Sequence, residues 1–229
     1  MAAEKIKERQ EYTFKASRWS SHSQILQQIP SHGEGLRVLD VGCWNGLLAG
    51  RLAAQGYEVT GIERERWDAE AFPEGVRLIH ADLHFGLPQL PDQFDVVICA
   101  DVLEHLLDPA LVLRQLRERL VPGGKLIASL PNSGNFYFRA IVASGRFPKE
   151  DKGLFDRTHL HFHPWSGWTA LLQSSGYTIE NVSATPVPFS LLCGEDSMWG
   201  RAIEWLFLQL AKGWKTLFAY QFVVTARRD

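Results

Sequence analysis

Four carboxylates stand at or near the ends of four short apolar runs. Asp40 lies in LRVLDV, Glu63 closes YEVTGIE, Asp82 closes VRLIHAD and Asp101 follows FDVVICA. A carboxylate so placed accepts hydrogen bonds from sugar hydroxyls or amines, or caps the next helix. One such acid reads as a cap, whereas four in succession point to a binding crevice. Beyond the fourth run, Asp101, Glu104 and His105 fall at i, i+3 and i+4, the spacing of one helix face. Farther along, HLHFHPW sets His159, His161 and His163 on alternating positions, which share a face if the segment is extended. Imidazole exchanges protons near neutral pH, so His105, His159 or His161 is a candidate base for an acceptor hydroxyl. A metal held beside these groups would instead lower the hydroxyl pKa directly.

The elements that must position these residues follow from periodicity. The strand-like runs alternate with the helical stretches GLLAGRLAAQG and DVLEHLLDPALVLRQLRERL, the latter interrupted near Pro109, and VPGG leads into a fifth strand, GKLIASLP. GYTIENVSA and FAYQFVVTAR read as two last strands. Strands alternating with helices imply right-handed crossovers and a parallel sheet covered on both faces, with its crevice outside the carboxyl ends of the strands. The expected fold is therefore α/β. Residues 1–229 are read as one domain: a leader helix and linker over 1–35, a binding half over 36–132 and a second half over 133–229.

The glycine loop DVGCWNG narrows the ligand. A dinucleotide loop carries glycine where Trp44 stands, because the backbone there must approach a pyrophosphate closely. The following helix also lacks the lysine and hydroxyl residue of a phosphate-cradling loop. Polyphosphates and nicotinamide dinucleotides are thus poorly served, and a ligand with an adenosine but no phosphate fits better. Glu63 suits two ribose hydroxyls, and Asp82 an adenine amino group. Gly42 and Gly46 let the chain turn beneath the rest of the ligand, where Asp40 supplies negative charge.

These stretches resemble the class I S-adenosylmethionine-dependent methyltransferases. VLDVGCWNG is similar to their glycine loop, VTGIE to their second strand and ADL to their third-strand acidic site. FDVVICADVLEHLLDP and LVPGGKLIASLPN are similar to their fourth and fifth strand motifs, in the same order. The resemblance covers roughly residues 36–132. It implies a Rossmann-like, doubly wound, seven-stranded and mostly parallel sheet with an antiparallel last strand. It also implies S-adenosylmethionine as cofactor, held by Asp40, Gly42, Cys43, Asn45, Gly46, Glu63, Asp82, Leu83, Ala100 and Asp101. The Asp101, Glu104 and His105 constellation resembles the E-x-x-E-H metal motif of small-RNA 2′-O-methyltransferases and ubiquinone O-methyltransferases. By that likeness a divalent metal would draw on Asp101, Glu104, His105 and His159, although Asp101 is one methylene shorter than the glutamate of the motif.

The second half resembles the tails of methyltransferases of cell-envelope sugars and of ubiquinone-type rings, and of MetW proteins. The expected activity is O-methylation of a small, sugar or lipid-like acceptor, with Glu104, His105, His159 and His161 around the transferring group. A MetW-like protein that binds the nucleoside without transferring a methyl group is the alternative. Aromatic residues crowd 136–168. An amphipathic helix is expected over 199–216, with Ile203, Leu206, Phe207, Leu210 and Trp214 on one face. That face either packs on the sheet or meets an apolar acceptor or membrane surface. A net charge of −2 with mixed signs offers no basic footprint for nucleic acid. The mixed-charge start has no apolar signal core, and Cys43, Cys99 and Cys193 are odd in number and unpaired in spacing. A cytoplasmic chain with reduced thiols is expected, attached to a membrane surface at most.

Overall fold

The computed structural model describes residues 18–67, 72–90, 92–188 and 197–229. In chain order the elements are α1 (Ser21–Gln27), β1 (Arg37–Val41), α2 (Leu47–Ala53), β2 (Glu58–Glu63), β3 (Val76–His80) and β4 (Phe94–Ala100). There follow α3 (Pro109–Arg119), β5 (Leu120–Pro131), α4 (Phe136–Ala143), α5 (Trp165–Ser174), β6 (Tyr177–Thr185), α6 (Met198–Gly213), α7 (Lys215–Phe218) and β7 (Gln221–Arg228). The expected leader helix reaches into residues outside the described ones, and its described part is α1.

The seven strands form one sheet in the order β3-β2-β1-β4-β5-β7-β6. Strands β1 to β5 pair in parallel, and β7 alone runs antiparallel to both its neighbours. The strand order reverses between β1 and β4, so the loops after these two strands flank a crevice at their carboxyl ends.

Side-chain alternation along the strands builds a core on each face. Leu39, Val41, Val97 and Cys99 point to the side covered by Leu113 and Leu116 of α3 and by Trp168 and Leu172 of α5. Val38, Val96 and Ile98 point to the other side, against Ile25 of α1 and Leu48 and Leu52 of α2. Cys43 and Cys99 are both buried free thiols.

Two expected elements differ. Residues 101–120 do not form one interrupted helix; Asp101 adopts φ 56°, a short 3-10 turn spans Leu103–His105, and α3 starts only at Pro109. The cause is local. Proline has no N–H to donate back to residue 105 and restricts Asp108 before it, which sits at φ −131° and caps α3 by accepting from the Leu111 amide at 2.8 Å. The expected helix over 199–216 breaks at Trp214 into α6 and α7.

Candidate active site

The glycine loop leaves β1 and is tied to β2 by the amides of Gly42 and Cys43, both donating to the Ile62 carbonyl. Gly42 has φ 68°, and a Cβ there would lie 2.6 Å from a Val102 methyl, so both conformation and space demand glycine. Trp44 takes a left-handed φ of 48° despite its side chain. Its ring meets Trp67 edge-on at 5.7 Å, while its amide donates to Glu63 Oε2 at 2.8 Å. Gly46, at φ 71°, opens α2, and Asn45 accepts from the Leu47 amide at 3.3 Å.

Glu63 is buried at the end of β2. Besides Trp44, the amides of Arg64 and Glu65 donate to its Oε1 at 2.8 and 3.0 Å. A carboxylate offers roughly four acceptor positions, so three amides leave it one. Gripping two ribose hydroxyls therefore requires Glu63 to release at least one amide of the loop.

Asp40, on β1 beneath the loop, is buried and its Oδ2 has no donor. Burial, reinforced by the charge of Glu63, lifts its carboxyl from 3.8 to about 7. A cationic ligand group completes such an acceptor and restores its charge. Asp82 follows β3 and caps the turn Leu83–Phe85 through Oδ1, which accepts from the His84 amide at 3.0 Å. Leu83 is buried with Val102 and Leu103, and Ala100 ends β4 partly exposed. Asp40, Glu63, Asp82 and Ala100 thus stand at or near the carboxyl ends of β1 to β4, where the strand order reverses, with Asp40 Oδ2 a buried acceptor lacking a donor.

Asp101 is locked to the neighbouring strands. Its amide donates to Ser129 Oγ at 2.9 Å, and its Oδ1 accepts from Ser129 Oγ at 2.5 Å and from Gln221 Nε2 at 2.8 Å. Asp101 precedes the 3-10 turn that carries Glu104 and His105 and has a left-handed φ, so the three residues share no regular helix face. The Glu104 carbonyl accepts from the amides of Leu160 and His161, which staples the histidine segment to the turn. As a result the rings of His105 and His159 lie 4.7 Å apart, and His159 Nε2 is 3.9 Å from Glu104 Oε1. One ligand atom from each of Glu104, His105 and His159 lies within 4.8 Å of the others.

The segment 159–163 is not an extended strand, and its histidines separate. His161 Nε2 donates to the Leu106 carbonyl at 2.8 Å; its ring stacks on His163, which packs against Trp168. His161 thus lies outside the cluster that Glu104, His105 and His159 form.

Burial, followed by the charges of Asp101 and Asp156, drives Glu104 well above the usual carboxylate range. Burial, followed by His105, lowers His159 to about 4. Both shifts favour the uncharged forms, which weakens any ion pair between them. Glu104 Oε2 and His159 Nδ1 are buried without hydrogen-bond partners.

Two residues that the sequence reading passed over complete the cluster. Thr158 Oγ donates to Asp156 Oδ1 at 2.6 Å, so its lone pairs face His105 Nδ1 at 3.0 Å, and the Thr158 carbonyl lies 3.2 Å from the same nitrogen. Two acceptors around Nδ1 place the proton there and leave Nε2 with a lone pair. Asp156 Oδ1 also accepts from the Thr158 amide at 2.8 Å. The D-x-T spacing of such a turn is the signal that marks it in the sequence.

The fold, the phosphate-free glycine loop and the acid at each strand end define a class I S-adenosylmethionine-dependent methyltransferase. The chain belongs to the family described as methyltransferase domain, whose model matches residues 10–182. Among curated proteins it is 39% identical over 120 residues to a ubiquinone biosynthesis O-methyltransferase of Aeromonas salmonicida (strain A449), an alignment covering 48% of this chain and 50% of that protein. The chain spans about half the length of the curated relatives it matches. Among solved structures it is similar to an S-adenosylmethionine-dependent methyltransferase from Mesorhizobium loti (TM-score 0.63, 22% identity, 91% of this chain and 98% of that one). One from Archaeoglobus fulgidus gives a TM-score of 0.62 at 19% identity, over 90% and 92% of the two chains. At these identities the structural likeness speaks for the fold.

Proposed function

We propose that the chain transfers the methyl group of S-adenosylmethionine to a hydroxyl of a small, ring-bearing or lipid-like acceptor. The observation that carries the reading is His105, held at Nδ1 by Thr158 beside buried Glu104 and His159 at the mouth of β4. The cofactor supplies a methyl group already activated on sulfur, so the protein's task is alignment, water exclusion and removal of one proton. The Nε2 lone pair of His105 takes the hydroxyl proton, and the imidazolium so formed is stabilised through Thr158 by Asp156. Glu104, whose burial favours the protonated form, orients the acceptor oxygen by a hydrogen bond.

Beside His159, Phe162 leads into an aromatic cluster in which Phe138 stacks on Phe155 at 4.5 Å and Phe147 packs against both. Phe138 and Phe155 are buried in that cluster while Phe147 stays exposed, and its ring offers apolar surface that suits an apolar ring or chain, in keeping with the names of the curated relatives. Glu104, His105 and His159 also suit a divalent cation, since one ligand atom from each lies within 4.8 Å of the others. It would lower the pKa of the acceptor hydroxyl. Asp101, committed to Ser129 and Gln221, stands apart from that set.

Turnover with tritiated S-adenosylmethionine and a panel of catechols bearing short or prenyl-like tails tests the reading, alongside calorimetry with S-adenosylhomocysteine. His105→Ala is expected to abolish transfer while leaving S-adenosylhomocysteine affinity unchanged. Cofactor binding without transfer to any hydroxyl of the panel would favour a binding role instead. Loss of turnover in chelator, restored by Mg²⁺ or Zn²⁺, would assign the ion to the cluster.

A further inference from the structure

Helix α6 is turned the wrong way round for a helix that packs on a core. Its inward positions are Gly200, Glu204, Leu208 and Ala211, one stripe at i, i+4, i+8 and i+11 made of two small residues, a carboxyl and one leucine. Its bulky apolar residues point outward. Met198 and Trp199 are 75% and 78% exposed, Trp205 54% and Leu206 50%, with Ile203 and Leu210 above a third; Trp214, at the break, is 60% exposed. Soluble helices bury this kind of stripe, so packing on the sheet, one of the two outcomes the sequence left open, is not what the structure shows. At its edge, Phe207 stacks on Phe136 of α4 at 5.6 Å, which anchors the helix to the domain.

Within the described residues of α6 and α7 the exposed charges have one sign. Over residues 197–218 the cations Arg201, Lys212 and Lys215 are exposed, while the single acid, Glu204, is 3% exposed on the opposite stripe. Helix α4, which Phe207 meets through Phe136, carries Arg139 and no acid. The chain as a whole is slightly negative, so this run of exposed cations is local to these helices. Two copies apposed through it would bring like charges together, whereas an anionic lipid surface answers both features. Indole rings favour the headgroup level, aliphatic side chains the acyl boundary and the cations the lipid phosphates. No described helix is long and apolar enough to cross a membrane.

We propose that the outer face of α6 docks the protein flat on an anionic phospholipid surface, with Met198, Trp199, Trp205 and Leu206 in the interface and Arg201 and Lys212 at its edge. Nothing in this docking requires the transfer chemistry, so its test is separate from that of the acceptor. The full chain is co-sedimented at low salt with phosphatidylcholine vesicles lacking or containing phosphatidylglycerol, together with two double variants, Trp199→Ser with Leu206→Ser and Arg201→Glu with Lys212→Glu. S-adenosylhomocysteine affinity serves as the folding control. The native chain is expected to bind the anionic vesicles, with blue-shifted tryptophan emission. The charge variant is expected to lose at least about thirtyfold in partitioning, since it removes two surface cations that contribute about 1 kcal/mol each, and the serine variant at least about tenfold through the apolar surface it removes. Three results would overturn the proposal: no binding to anionic vesicles, binding that neither variant weakens, or a dimer in solution that the serine variant converts to monomer.

Discussion

Cofactor binding should release a proton from Asp40. Burial and the charge of Glu63 hold this carboxyl near 7 rather than 3.8, a difference worth about 4 kcal/mol against the ionised form. Because the folded-state pKa is raised, the empty protein binds this proton more tightly than the unfolded chain does. The group therefore costs stability progressively as pH rises from about 4 to 7, and the penalty is constant above that. A sulfonium and an ammonium beside Asp40 reverse the preference and pull its pKa down. Below about pH 7 the affinity for S-adenosylmethionine should then fall by about tenfold per pH unit, until the lowered pKa of the complex is reached. Isothermal titration in two buffers of different ionisation enthalpy reads the protons directly. Nearly one should be released per ligand at about pH 6 and almost none at about pH 8. Asp40→Asn should abolish the release, weaken binding and raise the melting temperature of the empty protein at neutral pH. Proton release that persists in Asp40→Asn, or that does not change with pH, would refute the reasoning.

Three further expectations rest on single contacts. Glu63→Ala removes the acceptor of three amides and of the ribose, and should weaken S-adenosylhomocysteine by about 1 to 3 kcal/mol in calorimetry; an unchanged affinity would show that Glu63 serves the loop alone. Thr158→Val deletes one of the two acceptors at His105 Nδ1 and should lower kcat by about 2- to 10-fold, with KM for the cofactor constant. Thr158→Ser should restore the rate, and a valine variant with full kcat would remove the positioning role. Gly42→Ala forces a Cβ to within 2.6 Å of Val102 at φ 68° and should cost about 1 to 3 kcal/mol by denaturant unfolding, partly recovered when paired with Val102→Ala.

The parallel sheet and the place of its crevice were legible because a parallel α/β sheet writes itself into the chain as alternating apolar runs and helical stretches, each local and each with its own period. The acids at strand ends were legible for the same reason, since the end of a run marks the place of its last side chain. Asp40, Glu63 and Asp82 needed only their own neighbours to be located. Spacing misled where backbone conformation departs from a regular element. The i, i+3, i+4 pattern of Asp101, Glu104 and His105 assumes a helix that the left-handed Asp101 and Pro109 do not allow. The alternation of His159, His161 and His163 assumes a strand, whereas two hydrogen bonds to the Glu104 carbonyl set that segment across 55 or more residues of sequence. Only the tertiary structure chose His159 over His161 as the partner of Glu104, handed Asp101 to Ser129 and Gln221, and brought Thr158 to His105. The apolar stripe of α6 shows the same division. Its existence is a matter of helical period, fixed by local sequence, while its direction depends on which face offers small residues for close packing, and Gly200 and Ala211 turned that face inward.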